Sequence, residues 1–145
     1  MKFSTKSRYA LRLMIDLTLH NNGDYIALKD ISERQNISVK YLEQIVSVLA
    51  KSGMLKSVRG PQGGYKLAKD PSNYTAGDVL RITEGSLAPI PCLDGEAVEC
   101  EHYSQCSTID FWKGLLDAVN NYVDSVTIAD LAEQYKLKGS LDYII

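Results

Sequence analysis

Residues 38–68 read SVKYLEQIVSVLAKSGMLKSVRGPQGGYKLA, and this stretch decides the fold. Ser38 is a good N-cap for a helix, and Gly53 suits the end of that helix. Apolar residues at helical spacing predict one buried stripe, formed by Leu42, Ile45, Val46 and Leu49. The opposite, polar face carries Lys40, Gln44, Ser47 and Lys51, with Tyr41 beside them. Two strand-like runs follow, MLKSVR and YKLA, and the glycine-rich residues 60–64 between them predict a β-hairpin.

Two helices are predicted upstream of this stretch. The first runs from about Thr5 to His20, with an apolar face made of Ala10, Leu13, Met14 and Leu17. The second covers ALKDISERQ, and Asn36 suits the left-handed position at its end. Two short helices joined by a tight turn and followed by a hairpin have the order of a winged helix-turn-helix.

A long helix is predicted downstream. Thr75 caps a short helix over residues 76–84, residues 85–106 lack regular periodicity, and Ser107 or Thr108 caps the long helix. Its apolar residues follow heptad spacing, namely Ile109, Trp112, Leu116, Val119, Val123 and Val126. Such a stripe favours a dimer seam, because a complete winged domain precedes it; the alternative is that it packs on its own domain. Thr127 to Asp130 predict a new N-cap, and a short helix from there to about Lys136.

These elements predict a mainly α-helical protein with one small β-hairpin. The predicted divisions are a winged helix-turn-helix domain at 1–85, a cysteine-containing loop at 86–106, dimerisation helices at 107–136 and a tail at 137–145. With 145 residues the chain can bury one proper core. No apolar run reaches the roughly 18 residues that a membrane-spanning helix needs, and the first residues do not resemble a signal peptide, so we expect a cytoplasmic protein.

Charge is distributed unevenly along the chain. Residues 1–69 hold twelve Lys and Arg against five Asp and Glu, whereas residues 70–145 hold four against thirteen. A basic half joined to an acidic half predicts that the basic half binds a polyanion such as double-stranded DNA. Two histidines, His20 and His102, form no recognisable catalytic set with Ser or Asp, so we do not expect an enzyme.

Candidate DNA contacts occur at three places in the basic half. Lys40, Tyr41 and Gln44 stand near the start of the predicted recognition helix, where side chains reach base edges in the major groove. Arg59 beside Gly60 places a cation on the hairpin tip, suited to a narrow minor groove. The start of the first helix offers phosphate contacts from Thr5, Lys6 and Arg8. Each feature alone also fits a merely solvated face or a turn; together they predict DNA binding.

All three cysteines lie in the acidic segment PCLDGEAVECEHYSQC, residues 91–106. Buried structural cysteines are normally found among aliphatic residues on regular elements, so packing explains these poorly. Three thiolates within 15 residues can bind one metal centre, and soft sulfur ligands select zinc, copper(I) or an iron–sulfur cluster. Cys92, Cys100 and Cys106 are therefore candidate ligands, and His102 can complete a zinc site.

The stretches STKSRYALRLM, YLEQIVSVLAKSGMLKSVRGPQGGYKLA and TAGDVLRITEG resemble the Rrf2 family of bacterial transcription regulators. The resemblance covers about residues 1–135, and its most specific parts are Tyr-Leu-Glu-Gln at 41–44 and Arg-Gly-x-x-Gly-Gly-Tyr at 59–65. It implies a homodimer, with repressor activity expected, that binds a two-fold DNA site. The contacts implied by the family are Ser38, Lys40, Tyr41, Gln44, Arg59 and Gly60.

The resemblance also favours an iron–sulfur cluster, [2Fe–2S] or [4Fe–4S], on the three cysteines. Cluster-binding members carry a histidine three residues after the third cysteine, or an acidic residue early in the first helix; this chain has Ile109 and Arg8 there. His102 is the expected substitute ligand, with Glu101 or a partner-subunit residue as alternatives. Such a cluster is expected to sense iron–sulfur, redox or nitric oxide status.

Three rival functions remain open. Zinc-bound or metal-free thiols would sense through the same DNA-binding role. Members of the family without these cysteines respond to cysteine supply through cysteine synthase, and the C-terminal sequence Asp142-Tyr-Ile-Ile145 resembles tails that enter that enzyme. A redox or cluster-carrier protein would have no genomic role at all.

Overall fold

The computed structural model describes residues 2–95 and 105–144, with side chains up to residue 139. Six helices and one hairpin occupy this part of the chain. They are α1 (Thr5–Leu19), α2 (Leu28–Gln35), α3 (Val39–Lys51), β1 (Leu55–Val58), β2 (Gly64–Leu67), α4 (Ala76–Glu84), α5 (Ile109–Ser125) and α6 (Ile128–Ile144). Short 3-10 turns lie at Pro71–Asn73 and Pro91–Leu93. The predicted winged helix-turn-helix with a long C-terminal helix is confirmed.

Side-chain caps start several helices where the sequence predicts them. The hydroxyl of Ser38 accepts a hydrogen bond from the Tyr41 amide at 3.1 Å, which starts α3. Thr75 and Asp78 form a reciprocal capping box at α4, with both bonds at 3.0 Å. Thr127 and Asp130 do the same at α6. Thr108 lies at the N-cap of α5 but makes no side-chain capping bond.

The main core lies between α1, α3 and the elements that cover them. All four residues of the predicted α3 stripe are buried, as are the four predicted for α1. The helix-turn-helix follows the prediction, with Asn36 left-handed at φ 55° between α2 and α3. Ile128 and Ala132 of α6 are also buried, because α6 packs against α1.

The hairpin is joined to the α1–α2 loop by an isolated antiparallel bridge between Ile26 and Tyr65. Leu55 pairs with Leu67, and the two amide–carbonyl hydrogen bonds between Ile26 and Tyr65 are both 2.9 Å. A Cβ atom on Gly64 would overlap the Ile26 carbonyl oxygen. Glycine at 64 is therefore required by this close backbone approach, beyond any role in the hairpin turn.

The heptad stripe of α5 packs against its own chain over part of its length. Val123 is buried in a small cluster with Leu80 and Leu87, and Val119 packs against that cluster. This is the intramolecular alternative to the predicted dimer seam, and it occurs because α4 lies alongside α5. A neighbouring stripe of α5 stays open, with Phe111 66% and Tyr122 70% exposed.

The predicted end of the last helix near Lys136 is wrong. Helix α6 continues to Ile144 through the residues expected to form a tail. No proline interrupts this run, and a single Gly139 costs a helix only about 1 kcal/mol. Within the described residues, no helix is both long and apolar enough to cross a membrane.

Candidate nucleic-acid interface and cysteine segment

The outer face of α3 presents the predicted base-reading side chains to solvent. Lys40 and Gln44 are exposed, one turn apart near the start of the helix. Ser38 is exposed too, but its hydroxyl is used to cap α3. Because the buried stripe anchors the opposite side of the helix, this face is free to enter a groove.

Tyr41 is placed differently from the other α3 candidates. Its ring is half-buried and meets Tyr9 of α1 edge-on, with ring centroids 5.7 Å apart and an interplanar angle of 89°. Edge-to-face aromatic pairs contribute about 0.5–1.5 kcal/mol beyond their burial. Tyr41 thus links the recognition helix to α1, a role that its place on the polar face did not indicate.

The wing tip carries the predicted Arg59–Gly60 pair. Both residues are exposed, and Gly60 has φ 112°, a conformation that favours glycine. The Gly63 amide donates to the Gly60 carbonyl at 2.9 Å, which closes the turn. The Arg59 side chain therefore projects from a tight, solvent-exposed loop.

The carboxylate of Glu84, at the end of α4, lies against the start of α1. The Glu84 carboxylate accepts hydrogen bonds from the Ser7 hydroxyl and the Ser4 amide, both at 2.6 Å, and these bonds hold the pKa of Glu84 below its usual value. Phosphate contacts at this end are therefore left mainly to side chains. Arg8 is exposed, with a hydrogen bond to the exposed Thr5 at 3.2 Å, and Lys6 is half-buried.

A buried carboxylate of α1 pairs with a partly exposed arginine of α2, and helical spacing alone does not identify its partner. Asp16 is 1% exposed and accepts from Arg34 at 2.7 and 3.0 Å. A carboxylate on the core side of an amphipathic helix needs such a partner, because an unpaired buried charge is very unfavourable. That requirement is the signal by which Asp16 is recognisable as a structural residue.

Two of the three cysteines lie in the described residues. Cys92 is in the turn Pro91–Leu93, and Cys106 stands just before α5; both are half-buried. Hydrogen bonds with the backbone and hydroxyl of Thr108 lower the pKa of the Cys106 thiol. Within 2–95 and 105–144 no three metal-ligating side chains come together. Cys100, His102 and Glu101 lie outside the described residues.

The two helices that flank the cysteine segment are bound directly to each other. Arg81 of α4 donates to both carboxylate oxygens of Asp124 in α5, at 2.7 and 2.9 Å, and to Asn120 at 2.9 Å. A Cβ on Gly77 would meet this pair, so the helices approach closely there. This contact joins the end of α4, where the cysteine segment begins, to the far end of α5.

Together, the recognition helix, the arginine-tipped wing and the basic first half define a winged helix-turn-helix DNA-binding protein. Comparison with known proteins narrows this class. The family model Rrf2, described as an iron-dependent transcriptional regulator, matches residues 3–134, and the chain belongs to this family.

Two similar proteins, CymR and IscR, are regulators of transcription and not enzymes. The regulator CymR of Bacillus subtilis is 40% identical over 132 residues, covering 91% of this chain and 90% of CymR. IscR of Yersinia pseudotuberculosis is 39% identical over 131 residues, covering 90% of this chain and 79% of IscR. Among solved structures, B. subtilis CymR, called the global cysteine regulator, has a TM-score of 0.75 at 40% identity, covering 92% and 98% of the two chains. IscR of T. potens has a TM-score of 0.73 at 36% identity, covering 93% and 88%. The chain is a transcriptional regulator.

Proposed function

We propose that this regulator is a homodimer, with repressor activity expected, whose affinity for a two-fold DNA site is set by an iron–sulfur cluster bound to Cys92, Cys100 and Cys106. One observation carries the proposal: every cysteine of the chain lies in the single acidic segment between α4 and α5. The winged domain would then bind DNA, and the cysteine segment would sense the state of the cluster. The C-terminal helices would form the dimer.

DNA reading is assigned to the exposed side chains of α3 and the wing. Gln44 can pair bidentately with adenine, and Lys40 with guanine or phosphate. Arg59 suits a narrow minor groove, supported by the slim backbone of Gly60. Lys6 and Arg8 are assigned to phosphate, and Thr5 and Ser38 contribute hydroxyl or backbone contacts.

The dimer seam is assigned to the open stripe of α5 rather than to the stripe first predicted. Phe111 and Tyr122 are large, apolar and more than 60% exposed, and Leu115 and Ala118 lie between them at heptad spacing. A two-fold axis along this stripe would bring two recognition helices to successive grooves of one duplex face.

The ligand types in the cysteine segment suit an iron–sulfur cluster. Cys106 has a lowered pKa at the start of a helix, so its thiolate, the ligating form, is populated more readily. Cys100 would complete the three sulfur ligands, and His102 is the proposed fourth, with Glu101 or a residue of the partner subunit as alternatives. A bound cluster of either nuclearity supplies a centre that oxygen or nitric oxide can attack.

Coupling to DNA would pass through α4 and α5. The Arg81–Asp124 contact keeps these helices together at one end, while ligation of Cys92 and Cys106 would fix how the segment leaves α4 and enters α5. Holo and apo dimers would then differ in the spacing of their recognition helices, and the regulatory effect equals that difference in DNA affinity.

The test is anaerobic purification with iron and sulfide analysis and visible spectroscopy. Cys92→Ala and Cys106→Ala should remove the visible absorbance and leave a folded dimer. Binding is then measured on a duplex selected from a random pool by the reconstituted wild type. If the alanine variants bind that duplex as the reconstituted protein does, the cluster does not control DNA binding. Zinc in place of iron would indicate a zinc-thiolate sensor.

Similarity to CymR, the global cysteine regulator, favours a second candidate. In this alternative the chain represses cysteine metabolism and responds through cysteine synthase, which would bind the C-terminal residues. Pull-down with cysteine synthase, using the full chain and a form lacking Ile145, distinguishes the two. Capture that depends on Ile145, together with colourless protein, supports the alternative.

A further inference from the structure

The last residue of α2, Gln35, is held from α1 by two side chains. Its side-chain amide donates to the Asp16 carboxylate at 2.9 Å, and its side-chain oxygen accepts from Arg12 Nε at 3.1 Å. The second Arg12 nitrogen donates to the Gln35 backbone carbonyl. That carbonyl belongs to the last turn of α2, where helix carbonyls lack intrahelical partners.

Gln35 lies close to the start of α3, so its bonds to α1 can affect the position of that helix. The left-handed Asn36 follows at once, and Ser38 begins the recognition helix two residues later. This short turn is the whole chain connection between the two helices, so the last turn of α2 lies directly before the start of α3 and contributes to its placement.

Arg12 also reaches the recognition helix by a second route. Its guanidinium lies over the Tyr9 ring, 5.2 Å from the centroid, and Tyr9 meets Tyr41 of α3 edge-on. One exposed arginine therefore contacts both the turn before α3 and the aromatic pair beside it.

We propose that Arg12, Asp16 and Gln35 form a brace that positions the recognition helix for base reading without touching DNA. The proposal rests on the proposed DNA-binding function and adds positioning residues to it. Arg12 is the informative member, because it is exposed and its charge would otherwise be interpreted as a phosphate contact.

Arg12→Lys separates the two roles. Lysine keeps the positive charge, but it is a single flexible donor and cannot bridge the two oxygens of Gln35 as the planar guanidinium does. A positioning role predicts about tenfold weaker binding to the selected duplex in Arg12→Lys, near the low end of typical couplings between linked sites. Binding to random-sequence DNA and the salt dependence should match wild type.

The matched control is Lys29→Arg, a charge-preserving change at an exposed position of α2 that lies outside the assigned DNA contacts. A further variant, Arg12→Gln, removes the charge. If Arg12→Lys binds like wild type, or if Arg12→Gln weakens random-sequence binding and lowers the salt slope by about one, Arg12 is a phosphate contact and the brace is refuted.

Hydrogen exchange gives a readout that needs no DNA. Amides of residues 36–41 should exchange faster in Arg12→Lys than in Lys29→Arg, while thermal unfolding of the two variants stays alike. Equal exchange at this turn overturns the brace. If the wild type selects no duplex, the proposed function fails and the exchange experiment still decides the brace.

Discussion

Replacing Tyr122 by alanine is expected to dissociate the proposed dimer and leave each chain folded. The ring is 70% exposed in the protomer, so its loss should change the free energy of unfolding of the isolated chain by no more than about 0.5 kcal/mol. In a two-fold seam each ring would be buried against the partner, which stabilises by about 2 kcal/mol per side chain. Two symmetry-related rings make about 4 kcal/mol, or roughly a thousandfold in the dissociation constant.

Sedimentation equilibrium over a range of protein concentrations measures that constant, and circular dichroism checks the fold. Asp117→Ala, on another exposed face of α5, is the control and should leave the dimer unchanged. Val123→Ala should behave in the opposite way: removal of two buried methyl groups costs about 2 kcal/mol of protomer stability with little effect on dimerisation. A dimer that survives Tyr122→Ala and dissociates in Val123→Ala would refute the assignment of the seam.

Three further predictions concern the wing, the cysteine segment and the α4–α5 contact. Gly64→Ala should lower the free energy of unfolding by about 1–3 kcal/mol, because the methyl group meets the Ile26 backbone; Gly139→Ala, with open space around it, should instead raise it by about 0.5–1 kcal/mol in denaturant titrations. In a variant with Cys106 as the only thiol, alkylation should begin at lower pH than for an ordinary cysteine, because hydrogen bonds from the backbone and hydroxyl of Thr108 lower its pKa. Thr108→Val removes only the hydroxyl and should move the profile part of the way upward; an unchanged profile would show that the hydroxyl does not stabilise the thiolate. Hydrogen bonds from Arg81 lower the pKa of Asp124, so the stabilising contribution of this carboxylate is complete above about pH 4 and is lost as the pH falls through its pKa in the folded protein. Asp124→Asn should therefore make the free energy of unfolding less sensitive to acid, and identical acid titrations of the two proteins would contradict this.

Much of the winged domain was predictable because its signals are local. The stripe of α3 follows from helical spacing, and the caps at Ser38 and Thr75 need only a side chain and an amide three residues away. Asn36 adopts the left-handed conformation that its residue type tolerates. The end of α6 was missed because a single Gly139 does not stop a helix whose other residues favour it.

The candidate site was predictable only as far as residue type and exposure. Lys40, Gln44 and Arg59 are exposed as their positions indicate, yet Tyr41 packs on Tyr9, a neighbour 32 positions away along the chain. The heptad spacing of α5 was correctly recognised, but two stripes of that helix have it. Val123 faces α4 and Tyr122 does not, and spacing alone cannot separate them.

By itself the sequence determined the winged helix-turn-helix, the basic first half and the concentration of all thiols in one segment, because these depend on periodicity, composition and adjacency along the chain. Only the tertiary structure decided that Gly64 must pass the Ile26 backbone, that Arg12 and Asp16 converge on Gln35, and which stripe of α5 stays open. Those features depend on which surfaces come into contact when the chain folds, and contacts between residues far apart in sequence produce no periodic pattern in it.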